Sequence, residues 1–185
     1  MIEYDGVVLR VPEVTDRQRW FELIWDPDEQ RYGVPAFIAV PDSVDALDSH
    51  VQDARDRFDK GEPGLLVIAE AHEPDRFLGN ISWRQSIHPE MGIADIGYGV
   101  HPDARGRGLA SRAIALFARW LMEDADGPQL PRVQLDHSVE NPASCRAALA
   151  GGFEREGIRR SYLPLREPAG GVRRHDVCLH GRVRS

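Results

Sequence analysis

Apolar residues recur every three or four positions in four stretches of this chain, and this period predicts amphipathic helices. The four stretches are residues 15–26, 43–61, 109–123 and 141–152. Thr15 and Gln18 have the spacing of a capping box, and Asn141 followed by Pro142 is typical of a helix N-terminus. The helix beginning at Leu109 presents an apolar face that we expect to pack against the core.

Shorter stretches that are rich in β-branched residues and bounded by glycine, proline or polar turns predict β-strands. They are residues 7–11, 65–70, 76–83, 93–100, 132–137, 153–161 and 173–180. Residues 28–41 are predicted as a loop or broken helix, residues 84–92 as a turn and residues 162–172 as a long loop. The helix between strands 93–100 and 132–137 predicts a parallel pair with a right-handed crossover, in a protein of the mixed α/β class.

Residues 93–110 combine a strand, a glycine-rich turn and the start of a helix. Pro102 ends the strand because it fixes φ and has no N–H to donate. Gly106 and Gly108 let the backbone of the turn approach a ligand closely. The first N–H groups of the following helix lack partners within the helix, and together with the helix dipole they attract an anion. We therefore predict a phosphate-binding turn at this position.

Two common phosphate motifs do not fit this turn. A P-loop requires a lysine and a hydroxyl residue after its last glycine, and here Leu109 and Ala110 follow Gly108. A dinucleotide fingerprint requires a third glycine or alanine, where this chain has Ser111. The pattern Arg-x-x-Gly-x-Ala, beginning at Arg105, instead resembles the pyrophosphate-binding motif of the GNAT superfamily of acyl-CoA N-acyltransferases. Taken alone, the six-residue pattern also fits an ordinary strand-to-helix turn.

A second motif follows the predicted strand 132–137. Asn141-x-x-Ser144 and the Gly-Phe pair at residues 152–153 have the spacing found in the same superfamily. Together with the segment 95–98, this motif most resembles the branch that acetylates the N-termini of ribosomal proteins. The two motifs and the order of the elements extend the resemblance over essentially the whole chain.

The resemblance implies a fold and a co-substrate. The fold is a mixed, mostly antiparallel sheet with one splayed parallel strand pair and flanking helices, in a single domain over residues 1–185. The acyl donor is acetyl-CoA, and the acceptor is a primary amine. The residues expected at the cofactor are Tyr98, Val100, Arg105, Gly106, Arg107, Gly108, Ala110, Ser111 and Asn141.

The catalytic residues follow less directly from the resemblance. Many relatives carry a tyrosine seven residues after the capping asparagine as the acid for the departing thiolate, and this chain has Ala148 there. Ser144 is either the substitute for that acid or a helix residue bonded to nearby backbone. Asp95 is the first candidate for the general base, directly or through a water, and His137 is the second. Both also fit structural positions, Asp95 as a solvated strand residue and His137 as a core histidine.

Composition and charge limit the cellular compartments and the classes of partner that fit this chain. The net charge of −7 argues against nucleic acid and is compatible with a cationic amine. No apolar run reaches the length of a membrane span and the N-terminus lacks the pattern of a secretory signal, so we expect a cytoplasmic protein. Cys145 and Cys178 have no metal-site spacing, so we expect free thiols and no metal. A homodimer is left open.

Several functions agree with these patterns. The acceptor is either a protein N-terminal α-amine or a small amine such as an aminoglycoside or polyamine. Trp25, Tyr32 and Trp83 are candidates to line its pocket, or else core aromatic residues. A catalytically inactive acyl-CoA sensor is the first rival, because the tyrosine is absent. An unrelated ATP- or NAD-binding domain is the second, and only the glycine-rich turn favours it.

Overall fold

The computed structural model describes residues 1–86 and 88–184, so Ile87, within the predicted turn 84–92, and Ser185 lie outside the described residues. Eight strands form one sheet: β1 (Ile2–Tyr4), β2 (Val7–Arg10), β3 (Leu65–Glu70), β4 (Gly79–Gln85), β5 (Ile93–Val100), β6 (Arg132–Ser138), β7 (Glu154–Arg166) and β8 (Val172–Val183). The described residues also form the α-helices α1 (Arg17–Ile24), α2 (Asp48–Asp59), α3 (Leu109–Met122) and α4 (Pro142–Ala150). None of the described helices is long and apolar enough to span a membrane.

The strands are ordered β1-β2-β3-β4-β5-β6-β8-β7, and every neighbouring pair is antiparallel except β5 and β6. This is the mixed, mostly antiparallel sheet that the family resemblance implied. Helix α3 connects the two parallel strands and packs Ile114, Phe117 and Leu121 into the main core, beside Ile81 and Val133. A second core cluster, between α1, α2 and the sheet, consists of Trp20, Leu23, Leu47, Val51, Val67 and Phe77.

The parallel strand pair separates after three residues. Its register runs from Ile93 opposite Arg132 to Asp95 opposite Gln134, and β5 then continues to Val100 without pairing to β6. Strand β6 pairs over its full length with β8 on its other side. The gap that opens between β5 and β6 forms part of a cleft bordered by α3 and α4.

The C-terminal hairpin is longer than the sequence predicted. Of residues 162–172, predicted as a loop, residues 162–166 belong to β7, residue 172 begins β8, and only residues 167–171 connect the two strands. Pro164 lies within β7, opposite Arg174. A proline is tolerated there because β7 is the edge strand of the sheet, and the outward backbone groups of an edge strand need no partner. The loop prediction was therefore wrong, because no local pattern shows that a strand containing a proline lies at the edge of the sheet.

The N-terminal half differs from the prediction in three places. Strand β1 pairs with β2 although its three residues carry no clear sequence signal. Phe77, predicted in a strand, lies before β4 and is buried in the second core cluster. Thr15 and Gln18 form no capping box among the described residues. Instead, Asp16 Oδ2 accepts the Glu13 N–H at 2.7 Å just before α1 begins.

Candidate active site

A cleft of about 690 Å³ lies in the gap between β5 and β6. The end of β5, the turn before α3 and the first residues of α4 line it, together with a π-helical turn, Glu29–Gly33. That turn belongs to the segment 28–41, which the sequence predicted as a loop or broken helix. A concave site of this size with converging polar groups suits a small-molecule ligand.

Strand β5 presents backbone hydrogen-bonding groups to the cleft. The His101 N–H donates to the Leu78 carbonyl at 2.9 Å, which fixes the direction of the backbone groups on alternate residues of β5. The N–H and C=O groups of Tyr98 and Val100 therefore point away from β4, to the side that β6 has left. The Val100 carbonyl accepts the Arg105 Nε–H at 3.0 Å. The backbone of Tyr98 faces the cleft, where a ligand can bind it.

The turn before α3 has the conformation of an anion-binding site. Gly106 and Gly108 have φ of 76° and 70°, in the left-handed region that favours glycine. The backbone N–H groups from Gly106 to Ser111 donate to no acceptor in the described residues, and they form the positive end of a 14-residue helix. Ala110 and Ser111 line the cleft together with the two glycines. This donor set fits the pyrophosphate of a coenzyme A molecule.

The two arginines of the turn are already engaged in ion pairs. Arg105 contacts Asp26 and Asp28 at 2.5 and 3.2 Å and also lines the cleft. Arg107 pairs with Glu70 at the end of β3 and is not among the described residues that line the cleft. Arg105 thus borders the free N–H groups of the turn, whereas Arg107 would have to leave Glu70 to add charge there.

Tyr98 and Ser144 form a hydrogen-bonded pair in the cleft. The Tyr98 hydroxyl and Ser144 Oγ are 2.8 Å apart, and either can be the donor. Burial raises the pKa of Tyr98, which keeps its phenol protonated at neutral pH. Asn141 positions Ser144, because its side chain accepts the Ser144 N–H at 3.2 Å and caps α4. Ala148, at the position of the missing tyrosine, is fully buried in the core, so the phenol of this cleft comes from β5 instead.

Replacing Asn141 by alanine should destabilise the fold by about 1 kcal/mol, because the Ser144 N–H loses its acceptor. Asn141→Asp keeps an acceptor at the cap and should cost less. If Asn141 also orients the cleft, the alanine variant should in addition lose more activity than the aspartate variant. Denaturant unfolding and initial rates measure the two effects separately. Equal unfolding free energies and rates in all three proteins would show that the cap is dispensable.

Glu29 is an acidic residue of the cleft that the sequence analysis missed. Its carboxyl lies against two glycines: a Cβ on Gly99 would come within 3.0 Å of Glu29 Oε2, and a Cβ on Gly33 would overlap the carboxyl. Burial raises the pKa of Glu29 to about 7, against the opposing effect of Arg105. The carboxyl accepts no hydrogen bond from the described residues. It is therefore available to take a proton near neutral pH, and only the folded chain reveals that the two glycines make room for it.

The two bases that the sequence suggested differ in their access to the cleft. Asp95 is half-buried on β5, accepts a hydrogen bond from Gln134 Nε2 at 2.8 Å and is not among the described residues lining the cleft. His137 lines the cleft, and its Nδ1 lies 2.8 Å from the Ser138 carbonyl. Burial lowers the pKa of His137, so its imidazole is neutral at pH 7.

The three aromatic residues suggested for an acceptor pocket occupy different places. Tyr32 lines the cleft as part of the π-helical turn. Trp83 is buried in the main core. Trp25 is exposed, and its indole N–H donates to the Pro41 carbonyl at 2.9 Å. Only Tyr32, among these three described residues, is placed to touch a ligand in the cleft.

Known proteins resemble both the sequence and the fold. The chain is 26% identical over 123 residues to a probable N-acetyltransferase, YjcK, of Bacillus subtilis (strain 168), covering 66% of each chain. It is 29% identical over 121 residues to the ribosomal-protein-serine acetyltransferase of Escherichia coli (strain K12), covering 65% of this chain and 62% of the relative. The chain thus spans about two thirds of the length of these curated relatives.

A solved structure has the same fold at lower sequence identity. Mycobacterium smegmatis RimJ, in complex with CoA-disulfide, superposes with a TM-score of 0.78 at 22% identity, covering 96% of this chain and 81% of that one. A family model described as an acetyltransferase (GNAT) domain matches residues 7–154, which is more than half of the 185 residues. The splayed strand pair, the glycine turn at α3 and this match agree, and the chain belongs to the acetyltransferase (GNAT) domain family.

Proposed function

We propose that this protein transfers an acetyl group from acetyl-CoA to a primary amine, with Glu29 as the general base and Ser144 as the acid. The observation that carries the proposal is the carboxyl of Glu29, which has a pKa of about 7 and lines the same cleft as the Tyr98–Ser144 pair. A base is most effective when its pKa lies near the operating pH. This arrangement supports an active enzyme over a CoA-binding sensor without turnover.

Acetyl-CoA supplies the acyl group as a thioester. The N–H groups from Gly106 to Ser111 bind its pyrophosphate, and the backbone of Tyr98 directs the acyl end into the splay. A backbone N–H in this position also stabilises the oxyanion that develops on the thioester carbonyl.

The proton movements follow from the side chains of the cleft. Glu29 removes a proton from the ammonium form of the acceptor, and the free amine forms the C–N bond as the C–S bond breaks. Ser144 gives its hydroxyl proton to the departing thiolate. The phenol of Tyr98, 2.8 Å from Ser144 Oγ, returns a proton to Ser144. Water takes the second proton that the acceptor nitrogen loses as the amide forms, and water restores the proton of Tyr98. Asp95, the base suggested by the sequence, is the competing candidate, and the variant Asp95→Asn tests it.

The charge of the cleft favours a cationic acceptor. Four acidic residues, Asp28, Glu29, Asp136 and Glu140, line it against two arginines, Arg105 and Arg146. Burial raises the pKa of Asp136, and Glu140 is paired with Arg173 at 2.7 Å. An α-amine, with a pKa of about 7.7–8.0, loses its proton to such a base far more readily than a lysine side chain at about 10.4. We therefore propose a peptide α-amine as the acceptor, in line with the ribosomal-protein-serine acetyltransferase among the relatives.

The acidic residues that line the cleft also suit small polycations, which are therefore a second class of candidate acceptor. A panel of peptides with free N-termini, polyamines and aminoglycosides should be assayed for acetyl-CoA-dependent release of CoA thiol. We expect turnover with α-amine peptides and none with the same peptides after N-terminal acetylation. CoA binding without turnover on any amine would instead support the inactive sensor. A cytoplasmic location and a single domain remain predictions, and the question of a homodimer remains open.

Replacing Gly108 by glutamate should abolish CoA binding, because a side chain and a negative charge would enter the anion site at the start of α3. Gly170→Glu is the matched control: Gly170 also has a positive φ, of 93°, but it lies exposed at the tip of the β7–β8 hairpin. Isothermal titration calorimetry with CoA should show normal affinity for the control and none for Gly108→Glu. An unchanged affinity in folded Gly108→Glu would exclude this turn as the pyrophosphate site.

A further inference from the structure

Three side chains that could bind a metal ion lie close together beside the cleft, on the side formed by β6 and α4. His137 on β6, Cys145 on α4 and His180 on β8 each offer one such atom, and all three atoms lie within 4.8 Å of one another. Cys145 Sγ is 3.7 Å from His180 Nε2. The two imidazole rings stack with their centroids 5.1 Å apart.

The register of the sheet brings the two histidines together. Along the β6–β8 pair, His137 lies opposite Cys178, and Leu135 lies opposite His180. Residues opposite each other, or two apart on one strand, share a face, so the histidines are diagonal neighbours on one face of the sheet. Helix α4 places Cys145 over that face. The three positions are 8 and 35 residues apart in the chain, which explains why cysteine spacing gave no sign of a site.

Two ring nitrogens of this cluster lack hydrogen bonds. His137 is 6% exposed and His180 is fully buried, and within the described chain neither His137 Nε2 nor His180 Nδ1 has a partner. Leaving a buried polar atom unsatisfied costs about 1–3 kcal/mol. The His137 Nδ1, 2.8 Å from the Ser138 carbonyl, must be the protonated nitrogen, because a carbonyl can only accept. Its Nε2 therefore carries the lone pair that a metal requires, with the orientation fixed by the backbone.

We propose that His137, Cys145 and His180 bind a zinc ion that ties β6, α4 and β8 together behind the cleft. Two imidazoles and a thiolate are the ligands that a borderline-soft cation such as zinc prefers, whereas magnesium and calcium require oxygen ligands. In a tetrahedral zinc site, bonds of about 2.0–2.3 Å place a sulfur and a nitrogen ligand roughly 3.6 Å apart. The observed separation of 3.7 Å between Cys145 Sγ and His180 Nε2 agrees with this value, so His180 binds through Nε2 and its Nδ1 keeps the ring proton. The unpartnered nitrogen that the zinc ion satisfies is therefore His137 Nε2.

The proposal gives His137 a different role from the one that the sequence suggested. As a metal ligand it positions the wall of the cleft and does not take the proton of the amine. Three protein ligands leave a fourth position for water.

Cobalt(II) is the probe that tests this site, because it replaces zinc and reports its ligands by colour. Protein freed of metal with a chelator should bind one equivalent of Co²⁺, with a thiolate-to-cobalt charge-transfer band and the visible bands of tetrahedral coordination. Zinc should then displace the cobalt. Zinc at about 100 times its dissociation constant should raise the melting temperature by roughly 5–10 °C.

Two cysteine variants separate the proposed site from adventitious binding. Cys145→Ser should lose the charge-transfer band and bind zinc at least ~100-fold more weakly. Cys178→Ser removes the neighbouring thiol on the same sheet face and should keep both the band and the affinity. His180→Gln is a second ligand variant, in case Cys145→Ser fails to fold. Wild-type protein with no cobalt bands, or bands that survive both ligand variants, would overturn the proposal and leave a buried water as the partner of the two nitrogens.

Discussion

Replacing Glu29 with glutamine should lower kcat/KM for acetyl transfer by ~10²–10⁴-fold, the range of a general base, while leaving the affinity for CoA unchanged. Glutamine keeps the size of the side chain between Gly33 and Gly99 but cannot take a proton. The proposed pyrophosphate site at α3 does not involve Glu29, so the effects on CoA binding and on catalysis should separate. Initial rates and calorimetry on the same protein preparation measure the two quantities.

The pH profile provides a second readout for Glu29. In the wild type, kcat/KM should rise with pH through about 7 as the carboxyl loses its proton, and this limb should vanish in Glu29→Gln. The stability of the fold changes with pH in the opposite direction, because it falls as the pH rises. The pKa of Glu29 is raised above its ordinary value of 4.5, so its contribution to folding is fully present below that value and is lost as the pH rises through about 7. Glu29→Gln should therefore be at least as stable as the wild type above pH 7.

Three further variants test the assignment of the base to Glu29. Glu90→Gln changes an exposed carboxyl and should keep the wild-type rate and pH limb. Asp95→Asn tests the residue that the sequence favoured. A large loss in Asp95→Asn with a normal rate in Glu29→Gln would assign the base to Asp95. Gly99→Ala, whose new Cβ would crowd the Glu29 carboxyl at 3.0 Å, should reduce the rate without changing any titratable group.

Replacing Asp16 with alanine should destabilise the fold by about 3–5 kcal/mol, because it leaves a buried guanidinium without its counter-charge. Arg10 and Asp16 form a bidentate ion pair with both contacts at 2.7 Å, and their side chains are 9% and 1% exposed. Arg10 also donates to the carbonyls of Pro74 and Asp75, and Asp16 accepts the Glu13 N–H. Equilibrium urea unfolding measures the loss.

Comparison of Asp16→Ala with two other variants shows whether burial of the ion pair causes the loss of stability. Asp45→Ala removes one partner of an exposed pair, at 3.5 Å from Arg17 with Asp45 93% exposed, and should change the unfolding free energy by less than about 0.5 kcal/mol. The double variant Arg10→Met with Asp16→Leu should be more stable than Asp16→Ala, since no unpaired charge remains. If Asp16→Ala matches Asp45→Ala in stability, the buried pair contributes little to the fold.

Local patterns predicted most of the fold. The apolar period of residues 109–123 requires one buried face, and that face packs against the sheet as α3. The strand at residues 93–100, the glycine turn and the Asn-Pro start of α4 also lie where the sequence predicted them. The loop prediction for residues 162–172 was wrong because sheet position overrides local preference there. Pro164 is acceptable in β7 only because that strand lies at the edge, and no local pattern shows which strand is outermost.

The sequence by itself determined the glycine turn at the start of α3, because a turn with two left-handed glycines and a helix start depends on a few consecutive residues. Contacts over long sequence separations were decided only by the tertiary structure. Gly99 on β5 meets Glu29 seventy residues earlier, and the burial produced by this contact raises the pKa of the carboxyl. Tyr98 likewise reaches Ser144 because β5 and β6 separate. The pKa of a buried carboxyl or hydroxyl depends on the groups around it, and only the tertiary structure brings those groups together.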